Sequence, residues 1–257
     1  MKQITKSILS NTALMPGVYL LKVNAPEIAS VARPGQFVMI SCGQDVILRR
    51  PFSIHQVVDS RQLLFLFNVV GKGTSWLAQL QNGEQINLLG PLGNGFTLKP
   101  SLKRLLLIAG GLGIAPLAFL SYNALAQKKE VTLLLGAAKA SQIYPQNLLP
   151  DKIKAIVTTE DGSIGKKGIV TDVLPDYINQ ADQIFACGPI PMYQSIFNLM
   201  QQRSWQKPVQ ISLETRMGCG IGTCYSCSIK TTSGMKTVCH DGPVFNMREI
   251  IWEEVKI

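Results

Sequence analysis

The chain has 257 residues, 46% hydrophobic and 16% charged, a balance that builds a globular core and excludes a disordered or low-complexity protein. Its formal net charge of +9 invites a nucleic-acid reading, but the basic residues are scattered, with runs no longer than pairs such as Arg49-Arg50, and no stripe of aromatics accompanies them. The charge is read as a solvated surface with some cations for phosphate-bearing ligands, and neither a nucleic acid nor a membrane is expected as partner.

The N-terminal "MKQITKSILSNTALMPG" mixes polar residues throughout and lacks the unbroken apolar core of a signal peptide. A cytoplasmic protein is expected. Up to residue 99, "GVYLLKV", "QFVMIS", "SIHQV", "QLLFLFNV" and "QINLLG" are short apolar segments separated by Gly, Pro, Asn and Asp turns. Strands of this kind without intervening helical periods predict an antiparallel β-barrel over 1–99. "RRPFSIH" at 49–55, "GKGT" at 71–74 and "GPLGNGF" at 90–96 place two arginines and several glycine-rich turns on this unit. Cys42 follows a strand and reads as a small buried residue. His55 and His240 are lone histidines, expected to be structural rather than catalytic.

From residue 100 to 211 the texture changes. "RLLLIA", "VTLLLG", "IKAIVT", "QIFACG" and "VQISLE" alternate with stretches long enough for helices at 116–127, 168–180 and 189–202. Continuous apolar strands alternating with helices predict a doubly wound, parallel α/β sheet. Leu105 to Gln127 contains no charge, yet Gly110, Gly111, Gly113 and Pro116 interrupt it, so it reads as strand, glycine loop and helix rather than a membrane span. A glycine loop after the first strand of such a domain is read as a nucleotide loop or a plain turn. Cys187 ends a strand at the carboxyl edge of the sheet, where open α/β sheets bind ligands, so packing and a place beside a cofactor both fit it.

Residues 212–257 are short, glycine-rich and cysteine-rich, too little to build a core without a staple. Cys219, Cys224, Cys227 and Cys239 follow the spacing C-x4-C-x2-C-x11-C. Zinc ribbons pair their ligands as two C-x-x-C knuckles, and only Cys224 and Cys227 form one here. The spacing is that of plant-type [2Fe–2S] proteins, and Gly218, Gly220, Gly222, Thr223 and Ser226 leave room for close backbone approach to sulfur.

Taken in order, "LRRPFSI", "GKGT", "GPLGNGF", "GGLGIAPL", "EDGSIGKKGIVTD", "CGPIPM", "LETRMGCGIGTCYSC" and "CHDGPVF" resemble the ferredoxin–NADP reductase-like flavoproteins over essentially the whole chain. Within them, the set resembles the electron-transfer subunits of bacterial dihydroorotate dehydrogenase B. The resemblance implies that Arg50, Pro51, Phe52 and Ser53 line an FAD, with Arg50 close to its phosphates, and that Phe67, Asn68, Val69, Gly73 and Thr74 complete that site. Relatives often carry arginine where this chain has Asn68, one cation fewer. Gly110, Gly111, Gly113 and Pro116 would hold a nicotinamide nucleotide, and Cys187, Gly188 and Pro189 would approach its ring. Cys219, Cys224, Cys227 and Cys239 match the cluster ligands without a gap.

The resemblance further implies an oxidoreductase subunit that is incomplete without an FMN-containing dihydroorotate dehydrogenase catalytic subunit, in a heterotetramer of two plus two. Its electrons would pass from dihydroorotate to NAD in pyrimidine biosynthesis. NAD is expected rather than NADP, because "GAAKASQIY" offers a 2′-phosphate only Lys139, Ser141 and Tyr144. The alternatives are the small subunit of an NADH-dependent ferredoxin:NADP oxidoreductase or of a sulfhydrogenase and, outside the enzymes, a zinc-stapled nucleotide-binding regulator.

Overall fold

The structure, a computed structural model, describes residues 1–255; the last two residues of the region expected to end at 257 lie outside it. Residues 2–92 form one antiparallel sheet from β1 (Lys2–Met15), β2 (Val18–Asn24), β3 (Phe37–Ile40), β4 (Arg50–Ser53), β5 (Gln56–Val58), β6 (Gln62–Asn68) and β7 (Gln85–Leu92). Their order is β4-β3-β7-β1-β2-β6-β5, so β4 and β5 stand at opposite edges. Only Ile54 and His55 separate these two strands in sequence. Three peptide steps reach at most about 11 Å, so the sheet has to curl until its edges nearly meet. The result is the expected barrel, half closed around Ile8, Leu21, Val38, Ile40, Ile54 and Phe65, all fully buried.

β1 was not among the expected strands. It pairs with β7 through Lys2–Ser7 and with β2 through Ile8–Met15, but Ile8 is its one buried residue, so no apolar alternation marks it. A short helix α1 (Pro26–Ala29) follows β2, and α2 (Lys72–Gln79) follows β6. "GKGT", expected as a turn, is the first turn of α2. Thr74 Oγ1 accepts the N–H groups of Val70 and Gly71 at 2.9 and 3.1 Å and thereby caps the helix.

The second sheet contains β8 (Arg104–Gly110), β9 (Glu130–Ala137), β10 (Lys154–Thr159), β11 (Lys166–Lys167), β12 (Gln183–Cys187) and β13 (Val209–Ser212). Its helices are α3 (Ile114–Ala126), α4 (Leu174–Ile178) and α5 (Ile190–Gln202). The helix expected over 168–180 shrinks to a 3-10 turn at Val170–Asp172 and α4, because Pro175 allows a helix to start there but not to run through it. The strand order is β11-β10-β9-β8-β12-β13, all parallel. The winding order of the strands reverses between β8 and β12, so their carboxyl ends form the switch point where such sheets bind ligands.

Residues beyond β13 leave this sheet, form the hairpin β14 (Ser228–Thr231) and β15 (Gly234–Thr237), and return as β16 (Val244–Asn246), antiparallel to β13. The excursion is tied at its base, where Leu213 N–H donates to Pro243 O at 2.9 Å, and to the barrel, where Asn94 N–H donates to Gly242 O at 2.6 Å. Gly220 (φ +76°) lies so close to Met39 that an added Cβ would stand 2.5 Å from its Cγ. This cysteine-bearing lobe is therefore clamped between barrel and α/β sheet. Among the described residues no helix is long and apolar enough to cross a membrane.

Candidate functional site: two adjoining clefts and a cysteine loop

A cleft of about 400 Å³ opens between the barrel and the segment after β13. Arg50, Pro51, Phe52, Ser53, Phe67, Asn68 and Thr74 line it, brought together because β4 and β6 meet at the curled seam. Phe52 packs edge-on to Phe67 with centroids 5.8 Å apart, and Tyr19 stacks behind Phe67 at 5.7 Å, which stiffens an aromatic wall. Of the two arginines in "RRPFSIH", only Arg50 faces the cleft; Arg49 is turned into the barrel wall, donating to Asn87 O at 3.2 Å and to the Asn87 side chain. Val69 and Gly73 do not line the cleft. Gly73 is a buried residue of the first turn of α2, where an added Cβ would meet Cys42 Cβ at 3.1 Å, so its contribution is room for Cys42 and the Arg50 stem.

The opposite wall was not expected. Ser212, Leu213, Glu214, Thr215 and Met217 close the cleft from the α/β side. Their sequence, the end of "VQISLE" and the start of "TRMG", carries no pattern beyond a strand and its exit. Glu214 lines the cleft with an exposed side chain, and partial loss of water around its carboxyl raises its pKa.

A second cleft, of about 460 Å³, lies at the switch point of the parallel sheet. Gly110, Gly111 and Pro189 line it, with Gly136, Ala137, Glu160 and Met192. Gly111 adopts φ +54°, and an added Cβ there would meet nothing, so it presents bare backbone to the cleft. Gly113 serves differently: an added Cβ would stand 1.8 Å from Cys187 O, so the loops after β8 and β12 approach this closely only because it is glycine. Gly113, Pro116, Cys187 and Gly188 lie behind the lining rather than in it. Cys187 is 1% exposed, and burial raises its thiol pKa far above the ordinary range. Asn68 and Leu112 line both clefts, which therefore meet end to end.

His55 sits at the barrel seam, 1% exposed, and ties the clefts to each other. Its Nδ1–H donates to Ala115 O at 3.0 Å at the start of α3, so Nε2 accepts the Tyr144 hydroxyl at 2.9 Å. Tyr144 is thereby buried and spent on His55, which removes it from the three groups expected near a 2′-phosphate. Lys139 does not line the second cleft, and Glu160 is the one ionisable side chain that does.

The four expected cluster cysteines form two pairs, with Cys219, Cys224 and Cys227 on the loop before the β14–β15 hairpin and Cys239 just after it. The thiols of Cys219 and Cys224 lie within hydrogen-bonding reach of each other, as do those of Cys227 and Cys239. Backbone amides point at sulfur: Ile221 N–H to Cys219 at 3.4 Å, Gly222 N–H to Cys239 at 3.1 Å and Cys239 N–H to Cys227 at 3.4 Å. Ser226 Oγ accepts Gly218 N–H at 3.0 Å, which frees its proton for Cys224 sulfur at 3.1 Å. Burial opposes ionisation of Cys219, but hydrogen bonds from Thr223, Ile221 and Cys224 outweigh it and bring that thiol down to about 5. Burial and the neighbouring Cys227 push Cys239 the other way, to about 12. Two thiol pairs ringed by N–H donors fit a two-iron, two-sulfide cluster, each pair holding one iron, better than a single tetrahedral ion. Cys42, 1% exposed inside the barrel, stands apart from this loop.

Comparison with known proteins agrees with this geometry. Residues 214–251 match the iron–sulfur cluster binding domain of dihydroorotate dehydrogenase B, and residues 107–197 match the oxidoreductase NAD-binding domain. The chain is 37% identical over 262 aligned residues to the electron transfer subunit of dihydroorotate dehydrogenase B (NAD(+)) of Desulforamulus reducens, covering 98% of this chain and 99% of that one. The corresponding subunit of Clostridium acetobutylicum is 34% identical over 252 residues, with 97% and 98% covered. Among solved structures, a chain of the NADH-dependent reduced ferredoxin–NADP oxidoreductase superposes with TM-score 0.87 at 28% identity, covering 96% of this chain and 90% of that one. A ferredoxin NADP+ reductase from Neisseria gonorrhoeae with bound FAD and NADP shares the fold alone, with TM-score 0.66 and 18% identity over 79% of this chain and 92% of that one. A cysteine loop paired for two irons, beside two joined clefts, and full-length identity above one third place this chain in the family of dihydroorotate dehydrogenase B electron transfer subunits.

Proposed function

We propose that the chain carries electrons between an FMN-containing dihydroorotate dehydrogenase catalytic subunit and NAD, with FAD in the first cleft, the nicotinamide nucleotide in the second and [2Fe–2S] on the cysteine loop. The carrying observation is contiguity: the clefts share Asn68 and Leu112, and Met217, in the wall of the first, is two residues from Cys219. A flavin supplies the exchange between the two-electron hydride of nicotinamide and the one-electron traffic of an iron–sulfur cluster. The protein's residues bind and place these groups. Arg50 provides the cation in the first cleft, Phe52 and Phe67 its aromatic wall, and the left-handed Gly111 the open backbone of the second. The parts are assigned as an FAD unit over 1–99, an NAD unit over 100–211 and a cluster unit over 212–257. Assembly as two plus two with the catalytic subunit, in the cytoplasm, completes the reading.

Glu160 supports NAD over NADP. A cleft whose one charged side chain is a carboxylate favours ribose hydroxyls and repels an added phosphate. Glu160→Gln is expected to raise the NADPH-linked rate of flavin reduction relative to the NADH-linked rate by about tenfold, the size of one screened charge contact. An unchanged ratio would remove Glu160 from the coenzyme site.

The cysteine loop faces outward at Cys224 and at Tyr225, which is 71% exposed, and this is the side on which the catalytic subunit should dock. The isolated chain is expected to reduce artificial dyes with NADH but not to oxidise dihydroorotate. Adding the FMN-containing subunit should restore NAD-linked orotate formation and shield residues 219–227 from hydrogen exchange. Dihydroorotate oxidation by this chain alone at the full rate would sink the assignment. The NADH-dependent ferredoxin–NADP oxidoreductase chain is a close structural relative, but this chain's higher identity to the dihydroorotate dehydrogenase B subunits favours the first reading.

A further inference from the structure

Thr215 lies three residues past β13, on the segment that leads from the α/β sheet to the cysteine loop. Its hydroxyl oxygen is shielded from solvent and has no hydrogen-bond partner among the described residues. Native proteins satisfy nearly all such groups, since a buried hydroxyl left unpaired is destabilising. Asn11, Glu27, Gln62 and Thr158 also carry an unpaired buried oxygen, but of the five only Thr215 lines the first cleft. It also borders a separate hollow against Ser226 and Cys227, and no other residue lines both. Thr215 thus stands between the FAD cleft and a cluster ligand.

We propose that the Thr215 hydroxyl is a hydrogen-bonding contact of the flavin, on the side of the cleft that faces the cluster. The proposal rests on FAD occupying that cleft. The wall that carries Thr215 also presents Leu213, Met217 and Pro243 beside Ser212 and Glu214, so a polar atom of a ligand entering the cleft loses water and gains from a hydroxyl. A flavin ring offers carbonyl and nitrogen acceptors and an N–H donor, and a hydroxyl can serve either kind. The segment is held in register for this. Tyr193 O–H donates to Ser212 O at 2.6 Å, and Leu213 N–H donates to Pro243 O at 2.9 Å. Thr215 is a binding and positioning residue.

The unpaired hydroxyl gives this idea a signature that a structural role does not share. Without FAD the hydroxyl is a burden, and with FAD it is satisfied. Thr215→Val keeps the shape and removes the hydroxyl, and Thr215→Ser keeps the hydroxyl. After removal of FAD from purified protein with its iron content monitored, FAD titration should show Val binding about three- to tenfold more weakly than wild type, the range for one net hydrogen bond, and Ser within about twofold. The flavin absorption bands should shift in the Val variant and not in Ser, with iron content equal in all three. The FAD-free Val protein should melt no lower than FAD-free wild type. Wild-type affinity and an unchanged flavin spectrum in Val would overturn the contact while leaving the FAD assignment intact. A Val variant that melts lower without FAD would make the hydroxyl structural and overturn it as well. A wild-type chain that takes up no FAD would fail the proposed function itself, and this contact with it.

Discussion

Serine at any one of Cys219, Cys224, Cys227 or Cys239 is expected to strip iron and sulfide from the purified protein nearly completely while leaving FAD bound. Cluster ligation needs a thiolate, and an alcohol does not ionise in its place at neutral pH. FAD should stay because Arg50, Phe52 and Phe67 belong to the barrel sheet, which has its own buried core, and Thr74 belongs to α2, the helix that follows β6. The four variants should not be equal in stability. Cys227 and Cys239 are 3% and 1% exposed, whereas Cys224 is open to solvent, so the first two also forfeit packing. A cluster bound only by the folded lobe adds to its stability, so cluster loss should make residues 219–227 more open to protease. Cys42→Ser is the control. Its side chain lies in the barrel, away from the loop, and its iron content should match wild type. A Cys42 variant as poor in iron as a Cys224 variant would overturn the ligand set.

The second large effect concerns His55 and acid. Desolvation lowers its pKa to about 4, against a hydrogen bond to Ala115 O that works the other way. An exposed imidazole in the unfolded chain titrates near 6.5. Between these values the unfolded state binds more protons than the folded state, so stability is complete above about pH 6.5 and falls as pH drops toward 4. The full loss is about 3 kcal/mol, and about 2 kcal/mol of it should develop between pH 7 and pH 5. Denaturant unfolding of wild type and His55→Gln at both pH values isolates this contribution, because the carboxylates are common to both proteins. The variant should be less stable at pH 7, having lost a well-placed pair of buried hydrogen bonds, yet shallower in its pH dependence by about 2 kcal/mol. Parallel pH profiles would show that His55 does not enter folding as the neutral imidazole. Since His55 joins the barrel seam to the first turn of α3, the same acid window should loosen the junction of the two clefts, with slower NADH-linked flavin reduction in wild type as its readout.

What the amino-acid sequence determined by itself was local chemistry. The spacing of Cys219, Cys224, Cys227 and Cys239 is set by how a short loop wraps two irons, so it is legible without a fold. Continuous apolar strands such as "RLLLIA" and "QIFACG" announce a parallel sheet because both of its faces must be covered. Hydrophobic alternation showed the barrel strands that bury one face, but not β1, whose single buried residue is Ile8. What only the tertiary structure decided were the relations between residues far apart in the chain. The curl that brings β4 to β5 puts His55 against Ala115 and Tyr144, and no sequence pattern distinguishes that tyrosine from one at a ligand. The return of the chain after β13 turns Ser212–Thr215 and Met217 into the second wall of the first cleft, and an unpaired Thr215 hydroxyl becomes visible only when everything packed around it is in place. Gly113 and Cys187 read as separate cofactor neighbours, and only the fold shows that their backbones pack together, with 1.8 Å between an added Gly113 Cβ and Cys187 O. Ligand spacing and strand period depend on bonds a few residues long, whereas a cleft wall depends on packing contacts whose sequence separation exceeds a hundred residues, and only the folded core specifies those.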